Sequence, residues 1–242
     1  MVKKEVKEWF KRFNELKEED INFDFHIHTN QTDGLSTPEE IVTKAISLKL
    51  KSIVFAEHVN KNTDWFDDFK KRIDALKNNK HIKIFFGIEA RTVDFNGTLN
   101  ATQEIIRKSD IVLGVVHRYP NGRGGLIALN ETKNLGQDKA AEVEFKLALA
   151  LINNKNVDVL GHPFGVYSKF FNRFPEEYMK ELLIESLKKD KSVEINTKYI
   201  FEKDRFFKLL KEINPYVSIG SDAHSREEIA RSFDMIREMV KK

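Results

Sequence analysis

Six of the seven histidines in this chain close short apolar runs: Phe23-Asp24-Phe25-His26-Ile27-His28, Glu57-His58, Val115-Val116-His117, Gly161-His162-Pro163 and Ser221-Asp222-Ala223-His224. Glu89 ends another such run, and Asp33-Gly34 lies five residues past the first. Neutral imidazoles and carboxylates are the donors that hard and borderline divalent cations accept, so their convergence on one surface would form a multinuclear site. The chemistry it would support is hydrolysis by a metal-activated water.

Taken singly, each motif has an ordinary reading. His26-x-His28 could be a common strand pair, Asp33-Gly34 a plain turn, and His117 or His162 a hydrogen-bonded structural histidine. Glu57 reads equally well as a solvated or supporting acid. Their joint placement carries the inference. Strand alternation puts Asp24, His26 and His28 on one face of the first run, and Asp222-x-His224 repeats that geometry in the last. His81 precedes a run, has no clustered partner and reads as a surface residue.

Elements able to present these residues together follow from the hydrophobic pattern. Short Val/Ile/Phe-rich runs at 23–28, 51–56, 82–88, 111–116, 157–160, 192–196 and 216–220 alternate with helical stretches at 38–49, 64–78, 98–108, 138–154, 176–189, 202–212 and 226–240. Seven βα units of this kind predict a parallel sheet. Thr37-Pro38-Glu39-Glu40 and Ser225-Arg226-Glu227-Glu228 read as capping boxes. Residues 1–21, with Val2, Val6, Trp9, Phe10, Phe13 and Leu16 at helical spacing, predict an extra N-terminal helix. Residues 22–242 are then expected to form one barrel domain, with the site at the C-terminal strand ends. The connections 118–137 and 165–175 are long enough to act as lids or binding loops.

Composition narrows the partners. Lys and Arg number 41 against 38 Asp and Glu, interspersed, so there is no general pull toward nucleic acid or membrane. With no cysteine, disulfides and thiolate ligands are excluded and a cytoplasmic location is expected. Glutamates at 5, 8, 15, 18 and 19 are unlike a secretory or transit segment, and no run approaches a membrane span.

Ordered along the chain, His26-x-His28, Asp33-Gly34, Glu57-His58, Glu89, His117, Gly161-His162-Pro163 and Asp222-x-His224 resemble the motifs of the PHP (polymerase and histidinol phosphatase) superfamily, over about residues 22–225. The resemblance implies a distorted (β/α)7 TIM-like barrel holding two or three divalent ions, zinc, manganese or iron, in a phosphoesterase. Carried over, it implies one ion on His26, His28, Glu89 and Asp222, a second on Asp33, His58 and His224, and a third on Glu89, His117 and His162. Some members have histidine where this chain has Asp33, and aspartate is common where it has Glu57, so Glu57 takes no fixed role. Three filled sites would leave a net charge of about +3, suited to a phosphate ester and hydroxide.

Arg118, beside His117, and Lys198, just past Glu194-Ile195-Asn196, are candidate phosphate clamps, with Arg91 and Arg123 as weaker ones. Glu194 and Asn196 share a strand face and read as internal hydrogen-bonding groups. The leading expectation is a phosphatase for a small phosphomonoester, histidinol-phosphatase-like in chemistry. An alternative is a nuclease acting on RNA or DNA ends, for which Tyr119, Phe164, Tyr167, Phe170 and Phe171 would supply stacking contacts. A third is a metal-binding barrel without catalysis.

Overall fold

A computed structural model describes residues 2–200 and 202–241, so Met1, Phe201 and Lys242 lie outside it, as does the side chain of Val2 in the expected N-terminal helix. Seven parallel strands follow in chain order: β2 Phe23–Ile27, β3 Ser52–His58, β4 Lys83–Arg91, β5 Ile111–Val115, β6 Val159–Leu160, β7 Ser192–Ile195 and β8 Tyr216–Ile219. After each comes a helix, in turn α2 Pro38–Ser47, α3 Phe66–Leu76, α4 Gln103–Lys108, α5 Gln137–Asn153, α6 Glu176–Lys188, α7 Lys203–Ile213 and α8 Phe233–Lys241. Each strand pairs in parallel with the next, β2 through β8. β2 and β8 meet only at their C-terminal ends, where His28 N donates to Ala223 O at 2.9 Å and Ile27 bridges Ala223. The rim is thereby drawn into a ring. These are the seven βα units of the sequence pattern, and no described helix is long and apolar enough to cross a membrane.

The N-terminal segment departs from expectation. Helix α1 covers only Val2–Lys7; the chain then forms a two-residue strand, β1 (Lys11–Arg12), antiparallel to β8 with Lys11 opposite Val217, followed by 3₁₀ turns at Phe13–Glu15 and Glu18–Asp20. Tertiary packing overrides the helical spacing here. Trp9 meets Phe23 and Phe25 at centroid distances of 5.7 and 6.0 Å, Phe10 meets Phe25 at 6.0 Å, and Phe13 packs on Phe207. A continuous helix could not lay all these rings on β2 and α7.

The helix expected over 226–240 is also broken. Arg226–Glu228 is a 3₁₀ turn, Ala230 takes a left-handed φ of 61°, and α8 starts at Phe233. The Ser225 side chain caps nothing; Glu228 Oε2 instead accepts from His224 N at 2.7 Å. Side-chain bonds to the neighbouring strand ends outcompete the helix, since Ala230 N donates to Asp24 Oδ2 at 3.0 Å and Arg231 to the carbonyls of Ser221 and Asp222. The Thr37 capping box forms as the sequence indicates, with Glu40 N donating to Thr37 Oγ1 and Thr37 N to Glu40 Oε2.

The two long loops are anchored rather than open. Tyr119, Phe164 and Tyr167 are buried, and Phe170 and Phe171 pack against the core, so none of the three buried rings offers a face for base stacking. At their root lies Glu144 of α5, whose carboxylate accepts from Tyr119 Oη at 2.6 Å and from the amides of Val166 and Tyr167 at 3.2 and 2.7 Å. One buried side chain thus satisfies otherwise orphaned donors in both loops.

Candidate metal centre

Alternation along β2 turns Asp24, His26 and His28 to the interior, and all three are fully buried. β3 ends on Glu57-His58, β4 carries Glu89 near its end, and His117, His162, Asp222 and His224 leave the ends of β5, β6 and β8. With Asp33 added, and Asp24 and Glu57 set aside as supporting acids, the nine candidate ligands come together. Glu89, 2 % exposed, sits in the middle: its Oε1 lies 2.8 Å from His162 Nε2, 3.1 Å from His117 Nε2 and 3.3 Å from His26 Nε2, while Oε2 lies 2.5 Å from His58 Nδ1. Asp222 Oδ1 is 3.4 Å from His28 Nε2 and 3.7 Å from His26 Nε2. Toward the mouth, Asp33 Oδ2 lies 3.2 Å from His58 Nε2 and 3.4 Å from His224 Nε2.

Four sets have donor atoms mutually within 4.8 Å: His28 with Asp33, His58 and His224; His26 with Glu89 and His162; His26 with His28 and Asp222; and His58 with Glu89 and His117. The implied trio of Glu89, His117 and His162 meets at one carboxylate oxygen, although this grouping sets His162 beside His26 and His117 beside His58. His81 is exposed and apart.

Charge balance makes the pocket receptive to cations. Burial opposes ionisation of Glu89, yet His117, His26 and His58 outweigh it and hold the carboxyl well below its usual range. His58 is pushed up to about 10, because Glu89 and Asp33 outweigh its burial. Burial holds His28 down to about 4 despite the pull of Asp222, leaving a neutral imidazole whose Nδ1 has no hydrogen-bond partner. Imidazole nitrogens of His117 and His162 face Glu89 Oε1, while Glu89 Oε2 is buried with no hydrogen-bond partner, and divalent ions would displace imidazole protons and engage that oxygen. An N/O donor set with no thiolate, several neutral lone pairs and excess carboxylate charge fits zinc, manganese or iron.

Surrounding groups orient these donors. Glu194 Oε1 accepts from His26 Nδ1 at 2.7 Å, fixing the ring so that Nε2 faces Glu89, and its Oε2 accepts from His162 N at 2.6 Å. The internal role expected of Glu194 therefore holds. Gly220 makes room for it, since a Cβ there would overlap Glu194 Oε1. Asn196 is buried and accepts from Lys198 N at 3.2 Å. Glu57 supports the Asp33 loop: it accepts from Thr29 N at 2.9 Å and from the Thr32 hydroxyl.

Several supporting residues escaped sequence reasoning. Asp24 accepts from Ser221 N at 2.9 Å, and Arg231 Nη2 donates to Asp222 O at 2.8 Å, together holding Asp222 at a left-handed φ of 50°. Asp24 had a signal, its shared face with His26; Arg231 and Tyr199 had none. Tyr199 Oη donates to Asp222 Oδ2 at 2.8 Å, beside Lys198 Nζ at 3.0 Å. Lys198, expected as a phosphate clamp, has its ammonium on a candidate ligand. Arg118 is exposed at the mouth with no acidic partner among the described residues, and Arg91, partly buried, is held below its usual range by burial and by the charge of Arg118. Arg123 is exposed farther along the loop.

The profile of the PHP domain matches residues 24–198, more than half of the chain. The chain belongs to the PHP domain family. This PHP chain is 26 % identical to a probable phosphatase of Caldicellulosiruptor saccharolyticus over 231 residues, covering 91 % of this chain and 87 % of the relative. A probable phosphatase of Caldicellulosiruptor bescii is 24 % identical, with 87 % and 83 % covered. Among solved structures, histidinol phosphate phosphatase from Lactococcus lactis, complexed with zinc, L-histidinol and phosphate, superposes with a TM-score of 0.69 at 21 % identity, covering 91 % of this chain and 92 % of that one. The putative histidinol phosphatase of Listeria monocytogenes gives 0.72 at 19 % identity, covering 88 % and 99 %. These two likenesses establish a shared fold.

Proposed function

We propose that this PHP chain is a metal-dependent phosphoesterase that hydrolyses a small phosphomonoester with two or three divalent ions. The observation carrying the reading is the convergence of six imidazoles and two aspartates around one buried glutamate, Glu89, at the C-terminal rim. His26, His28 and Asp222 would hold one ion, Asp33, His58 and His224 a second, and His117 and His162 a third, with Glu89 shared. Ions bound there would activate water near neutral pH and neutralise charge on the phosphoryl oxygens.

The chain's own groups then have defined tasks. Glu194 keeps the proton of His26 on Nδ1 and leaves Nε2 as the donor atom. Lys198 and Tyr199 orient Asp222 through Oδ2, freeing Oδ1 to face His26 and His28. Arg118, next to His117 in the chain, near Arg91 and with no acidic partner among the described residues, would take a phosphate oxygen as a planar donor. The joint hydrophobic core supports reading residues 22–242 as one domain.

The test is turnover of a phosphomonoester panel before and after chelation, with a labelled oligonucleotide as a further substrate. Activity on the monoesters, lost with chelator and restored by a divalent ion, is the expected result. Full activity in metal-free protein, or cleavage of the oligonucleotide alone, would overturn the reading.

A further inference from the structure

The long loops beside the centre are mostly basic. The two long loops, 118–136 and 165–175, carry Arg118, Arg123, Lys133, Lys169 and Arg173 against a single acid, Glu131, and of these cations Arg173 is paired with Asp138 of α5 at 3.6 Å. That acid is turned back on its own loop, accepting from Ala128 N at 3.2 Å. Asp33 and Asp222, the acids of the centre facing this side, are engaged by His58, His224, Lys198 and Tyr199.

A row of rings crosses the same side. His117 stacks on His162 at 5.4 Å and 10°, and His162 meets Tyr199 at 5.1 Å. Arg118 and Arg91 stand at the His117 end. At the Tyr199 end, Lys169 Nζ lies 5.9 Å and Lys198 Nζ 5.3 Å from the ring centroid. Lys198 is committed to Asp222, whereas Lys169 is exposed and has no acidic partner among the described residues. Two ring-to-ring steps therefore separate a guanidinium pair from an ammonium lacking a counter-ion. Cations left without counter-ions beside a metal centre repel one another and any cationic ligand, and are stabilised by an anionic one.

We infer that the substrate carries a second anionic group, a phosphate or carboxylate, that Lys169 receives across the His117–His162–Tyr199 row from the scissile phosphate. The preferred class is a small organic bisphosphate or a phosphorylated carboxylic acid. An amino-alcohol phosphate, whose ammonium would face these loops, is disfavoured. This inference rests on the phosphoesterase reading.

The experiment compares matched substrates on the metal-loaded full chain: fructose 1,6-bisphosphate against fructose 6-phosphate, 3-phosphoglycerate against glycerol 3-phosphate, and L-histidinol phosphate alone. Each doubly anionic member is expected to have kcat/KM roughly tenfold or more above its partner, as a charge-assisted contact gives. Lys169→Met should remove that preference through KM and leave the singly anionic substrates unchanged, and Lys169→Arg should restore it. Calorimetry with pentane-1,5-bisphosphonate and pentylphosphonate, the first long enough to reach past the ring row, gives the same comparison without turnover. The arm that separates a phosphate from a carboxylate is the relative gain within the two pairs. Equal rates within both pairs, or preference for histidinol phosphate, would overturn the inference while leaving the phosphoesterase reading intact. No turnover of any monoester would remove that reading and this inference with it.

Discussion

The same strands end in opposite kinds of chemistry. At the foot, Phe23 and Phe25 of β2 meet Trp9 and Phe10, and the polar contacts are partly exposed pairs such as Lys11 with Asp20 at 2.7 Å. One and three residues past Phe25, His26 and His28 enter a pocket where buried ionisable groups face one another and Asp222 and His162 take positive φ. The foot secures the fold by burial of apolar area, and the rim holds charge in a low-dielectric setting at a cost in stability. Substitutions at the two ends should therefore separate stability from metal binding and turnover.

The largest effect is expected at the rim. Glu89→Gln should lower turnover by about 10³-fold or more, since removing a shared ligand disables every ion it contacts, with the fold retained by circular dichroism. A variant with near wild-type turnover would erase the distinction drawn between the two ends. At the foot, Phe23→Ala should cost about 3–5 kcal/mol of stability, read by chemical denaturation, while the folded protein keeps its metal content. Loss of metal from folded Phe23→Ala protein would show that the ends are coupled.

Glu144 lies between these extremes. Burial, its largest influence, raises its carboxyl to about 7, ahead of the opposing bonds from Tyr119 and the loop amides. The folded chain then binds a proton that the unfolded chain has released, so this stabilising contribution is full below about 4.5 and is lost as pH rises toward 7. Relative to Glu144→Gln, the wild type should lose about 2–3 kcal/mol across that window. Parallel pH dependences for the two proteins would contradict it. Glu194→Gln should reduce metal affinity by about 10–100-fold, as loss of a histidine-orienting carboxylate does, measured by competition with a chelating dye. Smallest of all, Lys11→Ala should change stability by less than about 1 kcal/mol, and a larger change would mean the foot depends on charge as well as packing.

How much of this was legible follows the same division. The ligand residues and the seven βα units could be read because each motif sits where an apolar run stops, a one-dimensional signal. Residues 8–21 could not, because Trp9, Phe10 and Phe13 have helical spacing and their actual partners, Phe25 and Phe207, are distant in sequence. Residues 226–240 looked helical because the donors of Ala230 and Arg231 find Asp24 and the β8 end only in three dimensions. The loop aromatics looked available for ligand because nothing in their spacing reveals Glu144 beneath them. Lys198 was placed near the centre, but its partner, Asp222, changes its task from holding phosphate to holding a ligand.

The central claim is that Glu89 is the shared ligand of a multinuclear centre, and the most direct measurement is metal stoichiometry. Elemental analysis of the chain after reconstitution with zinc or manganese should give two or three ions per wild-type chain and fewer for Glu89→Gln. Equal stoichiometry in the two proteins, or no bound metal in the wild type, would contradict the account.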